Sequence, residues 1–487
     1  MDIRRASVAL ATLIVLISSL AGSAAAAPLA PQLKLIPTSD RVTAQKYGRG
    51  PVYLDLGVYV AALGGPFEVR AARPDYTTPV GLSQILHDPQ GGIEEVALPA
   101  ELLDGWSGLN DFFRISVRSL DGELVKEKLY PFCPSGYDVA RINDDGPQMP
   151  TYPAACYGNP FTKGLVWGID AGWAVNTNST YSARMRLPVG EYSASLSIEP
   201  VYVDLFDIAA EDSETTVAMR VKKIRQGCVK FCEEPVPLSQ RGGRAVPIDE
   251  SPDPAILPDL AALPAWGMYV QEGRTRTRLS FGATVWTAGA SSLVVEGFRR
   301  SDESIMDAFQ YFYDGGELVG RAPVGELAYD ERRGHNHWHF LQFARYSLLD
   351  ATQTEVLLSK KEAFCLAPTD AIDLTLPNAD WSPGRDGFGT QCGGETALWV
   401  REVLPLGWGD TYFQGIPGQS FNITDLPNGT YYIKVEVNPL GALYEQTDAN
   451  NAELREVIIG GQPGARTVEV PPWNGIDTEA PYQSGHH

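Results

Sequence analysis

Short stretches of alternating apolar and polar residues dominate the first half of this 487-residue chain. From Pro31 to Cys232 they are separated by Gly, Pro, Asn and Asp, and no long helical periodicity occurs. The clearest case has apolar residues at Tyr192, Ala194, Leu196 and Ile198 with serines between them. This period of two is typical of a half-buried β-strand, so we predict a β-sandwich over residues 31–232.

A proline-rich segment, Glu233–Pro258, separates this region from a second strand-rich region and is predicted to be a linker. The second region spans residues 259–460, with predicted strands at Leu279–Trp286, Phe309–Tyr313 and Tyr431–Val437. Residues 461–487 are rich in Pro and Gly and are predicted to form a flexible tail.

The phrase Leu-Pro-x-Gly-x-Tyr occurs in both regions, at Leu187–Tyr192 and at Leu426–Tyr431, each time leading into an alternating strand. This favours two independently folded β-rich domains over an array of repeats. The predicted fold class is therefore mainly β. The strand rhythm of the first domain resembles that of an immunoglobulin-like accessory module.

The N-terminus has the pattern of a secretory signal peptide. Arg4 and Arg5 precede an apolar run, Val8–Leu20, and small residues follow it, which predicts a signal over residues 1–26. The run is too short to span a bilayer, and no later stretch approaches the roughly 20 apolar residues of a membrane helix. We therefore predict a secreted protein without a membrane span.

The formal net charge of −21 makes a basic nucleic-acid surface improbable and favours cationic partners, including lysine-rich ones. The even number of cysteines in an exported chain favours disulfides. Pairing of neighbours predicts three bridges: Cys133–Cys156, Cys228–Cys232 and Cys365–Cys392. A zinc site at Cys228 and Cys232 is the alternative, although no second ligand pair lies nearby.

Three of the six histidines, His335, His337 and His339, alternate along one short stretch. On an extended strand their imidazoles leave the same face. Imidazole suits copper, zinc, iron or nickel, and three protein ligands leave positions open for water, oxygen or substrate. The alternative is an exposed strand that binds no metal.

Further motifs accompany the histidines. In chain order the segments are Leu257–Leu260, His335–His339, Tyr346–Ala351, Lys361–Leu366, Asp410–Tyr412 and Tyr432–Pro439. Together they resemble the catalytic domain of the lysyl oxidase family. The chain departs from the animal enzymes in lacking most of their cysteines and their leading regions, so the resemblance is to a prokaryotic-type member.

The resemblance implies a copper enzyme with a cofactor made from its own chain. His335, His337 and His339 would hold copper, Tyr412 would be oxidised by molecular oxygen, and Lys361 would add to the ring to give lysine tyrosylquinone. Lys360 is a rival for the cross-link, but the family spacing matches Lys361. The implied substrates are lysine-containing proteins or peptides, or small primary amines. The general base is not identified.

The family resemblance also implies a structural calcium site. Its residues would be Asp259, Leu260, Glu445, Asn450 and Asn451. The family's intervening acid falls on Thr447 here, so an altered site or a simple Asx-rich turn is the alternative.

Two other functional hypotheses stay open. One is a cupin-like metal oxygenase that uses the histidines without a quinone. It would require a carboxylate a few residues past them, and Phe340–Arg345 contains none. The other is an exported copper-binding or cell-surface adhesion protein on the same scaffold, without quinone activity.

Overall fold

A computed structural model describes most of the chain. The described residues are 30–47, 50–88, 91–103, 105–156, 158–179, 183–224, 252–300, 305–331, 337–359, 361, 363–385 and 387–479. The predicted signal peptide, Cys228, Cys232, most of the predicted linker, Lys360, His335 and residues 480–487 lie outside them.

The described residues of the N-terminal region form fifteen strands and short helical segments. The strands are β1 (Gln32–Pro37), β2 (Arg41–Tyr47), β3 (Val52–Leu54), β4 (Val58–Leu63), β5 (Phe67–Ala72), β6 (Gly81–His87), β7 (Ile93–Leu98), β8 (Leu109–Arg118), β9 (Leu124–Phe132), β10 (Val139–Arg141), β11 (Gly164–Ile169), β12 (Trp173–Asn176), β13 (Ala183–Met185), β14 (Gly190–Ile198) and β15 (Glu214–Ile224). The helical segments are α1 (Pro200–Leu205) and 3-10 turns at Ala100–Leu102 and Ala210–Asp212.

These strands form three sheets, with orders β1-β4-β12-β10, β11-β5-β6-β7 and β13-β3-β2-β15-β14-β8-β9. Within the third sheet, β2 and β15 run parallel. An immunoglobulin-like domain has two antiparallel sheets. The mainly β class is thus confirmed, whereas the immunoglobulin-like arrangement is not, because strand rhythm predicts strands but not their partners.

The second region begins with a 3-10 turn, Pro254–Ile256, so the last residues of the predicted linker already belong to folded structure. Its strands are β16 (Pro258–Ala262), β17 (Trp266–Glu272), β18 (Thr277–Gly289), β19 (Leu293–Arg299), β20 (Ile305–Asp314), β21 (Glu317–Asp330), β22 (His337–Leu341), β23 (Ala344–Leu349), β24 (Glu355–Leu358), β25 (Ala363–Phe364), β26 (Asp370–Ala371), β27 (Trp399–Leu404), β28 (Trp408–Tyr412), β29 (Ser420–Asn422), β30 (Gly429–Val437), β31 (Ala452–Gln462) and β32 (Ala465–Glu469).

The described strands of the second region also form three sheets. The first has the order β16-β18-β28-β26, with β17 and β29 paired to β18; the others are β25-β22-β21-β20-β19-β27 and β24-β23-β30-β31-β32. One hydrophobic core spans all three sheets, with Phe281 and Val285 from the first, Trp338 from the second and Val435 from the third. The histidine strand β22 and the tyrosine strand β28 therefore line one core.

The alternating stretches of the sequence form strands with the predicted burial. In β14 the buried positions include Tyr192 and Leu196, and in β30 they include Tyr431 and Val435. The repeated phrase also has one local structure: the Tyr192 hydroxyl donates to the carbonyl four residues before it, and the Tyr431 hydroxyl does the same. Such a bond anchors the start of a strand, as in the tyrosine corner of sandwich domains.

The two regions pack against each other through the segment around β26. Gly158 bridges to Ala371 and Gly164 to Asp373, and the core of the N-terminal region includes Trp408 at the start of β28. The strand that carries Tyr412 is therefore supported from both sides.

The described part of the predicted tail, residues 461–479, contains a strand and makes contacts with the second region. After Gly460, the strand β32 pairs with β31. Further on, the carboxylate of Glu479 accepts a hydrogen bond from the backbone amide of Met268, and Thr478 accepts one from the buried guanidinium of Arg455. These contacts join the end of the described chain to β17 and β31.

Two of the predicted disulfides, Cys133–Cys156 and Cys365–Cys392, are present. The proposed Cys228–Cys232 bridge lies outside the described residues. None of the helices in the described part of the chain could span a membrane.

Candidate functional site

Lys361 and Tyr412 lie against each other in the core of the second region. The Lys361 Nζ is 4.4 Å from the centroid of the Tyr412 ring and 5.0 Å from that of Phe364. Only 2% of the Lys361 surface is exposed, whereas Tyr412, at the end of β28, is partly buried. A lysine is rarely this buried, because its charge must be removed from water. The structure thus places an amine next to the face of a phenol.

A short backbone network fixes Lys361 in this position. The Ser359 hydroxyl donates to the Gly418 carbonyl at 2.6 Å and accepts from the backbone amide of Lys361 at 3.1 Å. Gly418 has a φ of +99°, and a Cβ there would lie 2.7 Å from the Cβ of Lys361. Glycine is therefore required both by the backbone conformation and by the close approach of the lysine.

Tyr412 is connected to the histidine strand through β25. Phe364 of β25 packs edge-on against the Tyr412 ring at 4.8 Å, and β25 pairs with β22. The Tyr412 hydroxyl donates to the Cys365 carbonyl at 3.4 Å. Cys365 is disulfide-bonded to Cys392, and the Cys392 carbonyl accepts a hydrogen bond from the backbone amide of Trp338 in β22. The Cys365–Cys392 bridge therefore ties the lysine segment to the histidine strand.

Two of the three predicted metal ligands lie side by side. The rings of His337 and His339 are 4.7 Å apart. The Nδ1 of the buried His339 lies 3.4 Å from Asp330 Oδ2. Metal-bound histidines usually turn their other nitrogen to such a carboxylate, which leaves Nε2 for the metal. Within the described residues no group of three His, Cys, Asp or Glu side chains forms a metal site, and the third predicted ligand, His335, is outside them.

Two buried carboxyl groups flank the lysine and the tyrosine. Burial raises the pKa of Asp410 well above its usual range, and the charge of Lys361 lowers it. Burial likewise raises the pKa of Glu402, whose carboxylate accepts a hydrogen bond from the Leu366 amide. Burial and then the charge of Asp410 raise the pKa of Tyr412. The phenol is therefore held in its protonated form.

The residues predicted to bind calcium come together at one edge of the first sheet. The Asn450 amide donates to Asp259 Oδ2 at 3.1 Å, the Asn451 amide donates to Glu445 Oε1 at 2.7 Å, and the Leu260 backbone amide donates to Glu445 Oε2 at 3.3 Å. Burial raises the pKa of both Asp259 and Glu445.

Three side-chain oxygens of this cluster, Asp259 Oδ1, Asn450 Oδ1 and Asn451 Oδ1, are buried and accept no hydrogen bond from the described residues. Unpaired buried oxygens are costly unless a cation or water meets them. Asp448, next to the position where the family has its acid, is exposed. Both the calcium site and the Asx-rich turn therefore stay predictions for this cluster.

The sequence did not indicate the roles of Asp410, Ser359 and Gly418. Asp410 lies two residues before Tyr412 on β28, so both side chains leave the same face of the strand. That spacing was a signal available from the sequence. Ser359 and Gly418 were not identifiable, because their contact joins residues far apart in the chain.

Comparisons with known proteins agree with the motifs. Residues 321–465 match the lysyl oxidase family model. The protein-lysine 6-oxidase of Sus scrofa is 34% identical over 129 residues, covering 26% of this chain and 45% of that protein. The Rattus norvegicus protein of the same name is 34% identical over 129 residues, covering 26% of this chain and 28% of the relative. Lysyl oxidase homolog 2 of Gallus gallus is 26% identical over 166 residues, covering 34% of this chain and 19% of that protein. The chain thus spans less than half the length of each of these relatives.

Proposed function

Because residues 321–465 match the lysyl oxidase family model, we propose that this chain is a secreted amine oxidase that depends on copper and on lysine tyrosylquinone. It would convert peptidyl lysine or small primary amines to aldehydes. One primary amine, one oxygen molecule and one water would give one aldehyde, one ammonia and one hydrogen peroxide. Secretion is supported by the two disulfides, which persist in oxidising compartments.

The observation that carries the proposal is the contact between the buried Lys361 Nζ and the ring of Tyr412, at 4.4 Å from its centroid. A cross-link between a lysine nitrogen and a tyrosine ring requires this proximity. The hydrogen bonds among Ser359, Gly418 and the Lys361 backbone fix the backbone from which this side chain extends.

The donor set fits copper. His337 and His339 present two neighbouring imidazoles, and Asp330 orients the second of them. His335, two residues before His337, would supply the third nitrogen. When bound, copper would supply the oxidation of Tyr412 by oxygen, and the quinone made from Tyr412 and Lys361 would supply the carbonyl that condenses with an amine.

The residues around Lys361 and Tyr412 orient the two side chains for cross-linking. Phe364 packs against the Tyr412 ring and fixes its plane, and the Cys365 carbonyl accepts from its hydroxyl. The Lys361 amine is shielded from water by the core. These contacts orient the two groups and limit side reactions with solvent.

The test is peptide mapping of protein loaded with copper in air. A Lys361–Tyr412 cross-link should appear, with a mass that corresponds to one oxygen gained and four hydrogens lost. The same preparation should release hydrogen peroxide from a lysine-containing peptide. Absence of both cross-link and quinone-directed carbonyl staining would instead favour a copper-binding protein without quinone activity.

We also propose that Asp259, Leu260, Glu445, Asn450 and Asn451 form a calcium site, because their buried oxygens suit a hard cation. Calcium at about 100 times its Kd would stabilise the folded state by about 2.7 kcal/mol. For a domain of this size the melting temperature should rise by about 5–10 °C. Differential scanning calorimetry with EGTA and with added calcium measures this.

The calcium-dependent rise should disappear in Asp259→Asn, which keeps the shape of the side chain and removes its charge. Asp448→Asn is the matched control, because Asp448 is exposed. Equal calcium responses in the two variants would contradict the assignment.

A further inference from the structure

Asp410 is a buried carboxyl group for which the proposed assembly of the cofactor has no use. It is 4% exposed, and its Oδ2 accepts no hydrogen bond from the described residues. The backbone amide of Ala367 donates to the same carboxyl group. An acceptor oxygen held in a core without a donor is costly, so a specific partner is expected for it.

The position of Asp410 relates it directly to the reacting ring. Asp410 and Tyr412 are two residues apart on β28, which places their Cα atoms about 6.6 Å apart on one face of the strand. Lys361 lies on that same side, over the Tyr412 ring and close enough to Asp410 to lower the pKa of its carboxyl group. The carboxyl group thus leaves β28 on the same face as the Tyr412 ring over which the lysine amine lies.

Resting on the proposed function, we propose that Asp410 is the general base of the amine oxidase reaction. A substrate amine bound to the ring would bring the carbon next to its nitrogen to the carboxylate. The C–H bond of that carbon would break, its proton would go to Asp410 Oδ2, and its electron pair would reduce the quinone. Oxygen would take these two electrons together with two protons and become hydrogen peroxide, and water would release the aldehyde and ammonia.

The change of charge that accompanies cross-linking of Lys361 supports this assignment. Before cross-linking, the Lys361 ammonium lowers the pKa of Asp410. Once that nitrogen belongs to the cross-link it no longer carries the ammonium charge, so the pKa of the buried carboxyl group rises. A base acts best when its pKa lies near the working pH. Cross-linking would therefore convert Asp410 from the counter-charge of a lysine into a base.

Other ionisable groups share this environment. Those that interact electrostatically with Asp410 are Lys361, Asp370, Glu402, Tyr346 and Tyr412. The charge of Asp370 raises the pKa of Asp410. Removal of that charge should therefore lower the pKa of Asp410, which gives a signed prediction for the pH profile.

The test uses full-length, copper-loaded protein and three variants: Asp410→Asn, Asp410→Glu and Asp370→Asn. Peptide mapping measures the cross-link, phenylhydrazine labelling counts reactive quinone, and peroxide release from n-butylamine gives kcat/KM against pH. We expect Asp410→Asn to retain the cross-link and the labelling while kcat/KM falls by about 10²–10⁴-fold. Asp410→Glu should restore part of the lost kcat/KM.

The wild-type kcat/KM should rise with pH as Asp410 loses its proton. This rise should be absent in Asp410→Asn and shifted to lower pH in Asp370→Asn. If Asp410→Asn has normal quinone and normal turnover, or if it fails to form the cross-link, the role as base is wrong. A wild-type protein without the cross-link would overturn the proposed function itself, which the mapping distinguishes.

Discussion

Tyr412→Phe should abolish both the quinone and the release of peroxide. Phenylalanine keeps the ring but lacks the oxygen from which an ortho-quinone is built. Without the quinone, amine oxidation should fall to its uncatalysed rate, a loss of at least about 10⁶-fold. Carbonyl staining and peptide mapping measure the loss of the quinone, and peroxide release from a lysine-containing peptide measures the loss of activity.

The fold should survive this change. The Tyr412 hydroxyl makes a long hydrogen bond of 3.4 Å to the Cys365 carbonyl, so its loss should cost only about 0.5–1.5 kcal/mol of stability. Tyr431→Phe is the matched control, because Tyr431 is buried in the same core and also donates to a backbone carbonyl. This control should lose similar stability and keep the quinone. Normal carbonyl staining in Tyr412→Phe would refute the cofactor assignment.

The local strands of this protein were predictable from its sequence. The alternation in β14 and β30 gives the buried face directly, since successive side chains leave opposite faces of a strand. The pairing of the strands was not predictable, as the parallel contact of β2 with β15 shows, because it joins the two ends of the N-terminal region. Composition also did not indicate that Arg455 and Met268 contact the Pro- and Gly-rich segment after Gly460.

The candidate site was likewise predictable from the sequence only in part. The histidine spacing and the lysine and tyrosine motifs were visible because each is contiguous in the chain. The depth of Lys361 and the support from Gly418 were not visible, because they arise from packing between distant segments. Asp410 lay within a recognised motif, yet its chemical interest depends on burial and on an oxygen without a donor.

His339→Ala should remove copper and, as a consequence, the cross-link. The imidazole is buried beside His337, and loss of one ligand of three leaves an incomplete site. We expect the copper content measured by mass spectrometry to fall by more than 90%, on the order of a 10²-fold or greater loss of affinity. His87→Ala is the control, because His87 bonds to Glu68 in the N-terminal region.

Asp330→Asn separates metal binding from simple loss of packing. The Asp330 carboxylate contacts His339 Nδ1, so the variant keeps every imidazole and weakens only their orientation. Copper affinity should fall by about 10–100-fold, and excess copper should restore the cross-link. Excess copper should not restore it in His339→Ala. If both variants bind copper like the wild type, the histidine strand is not the copper site, and oxidation of Tyr412 must depend on another metal centre.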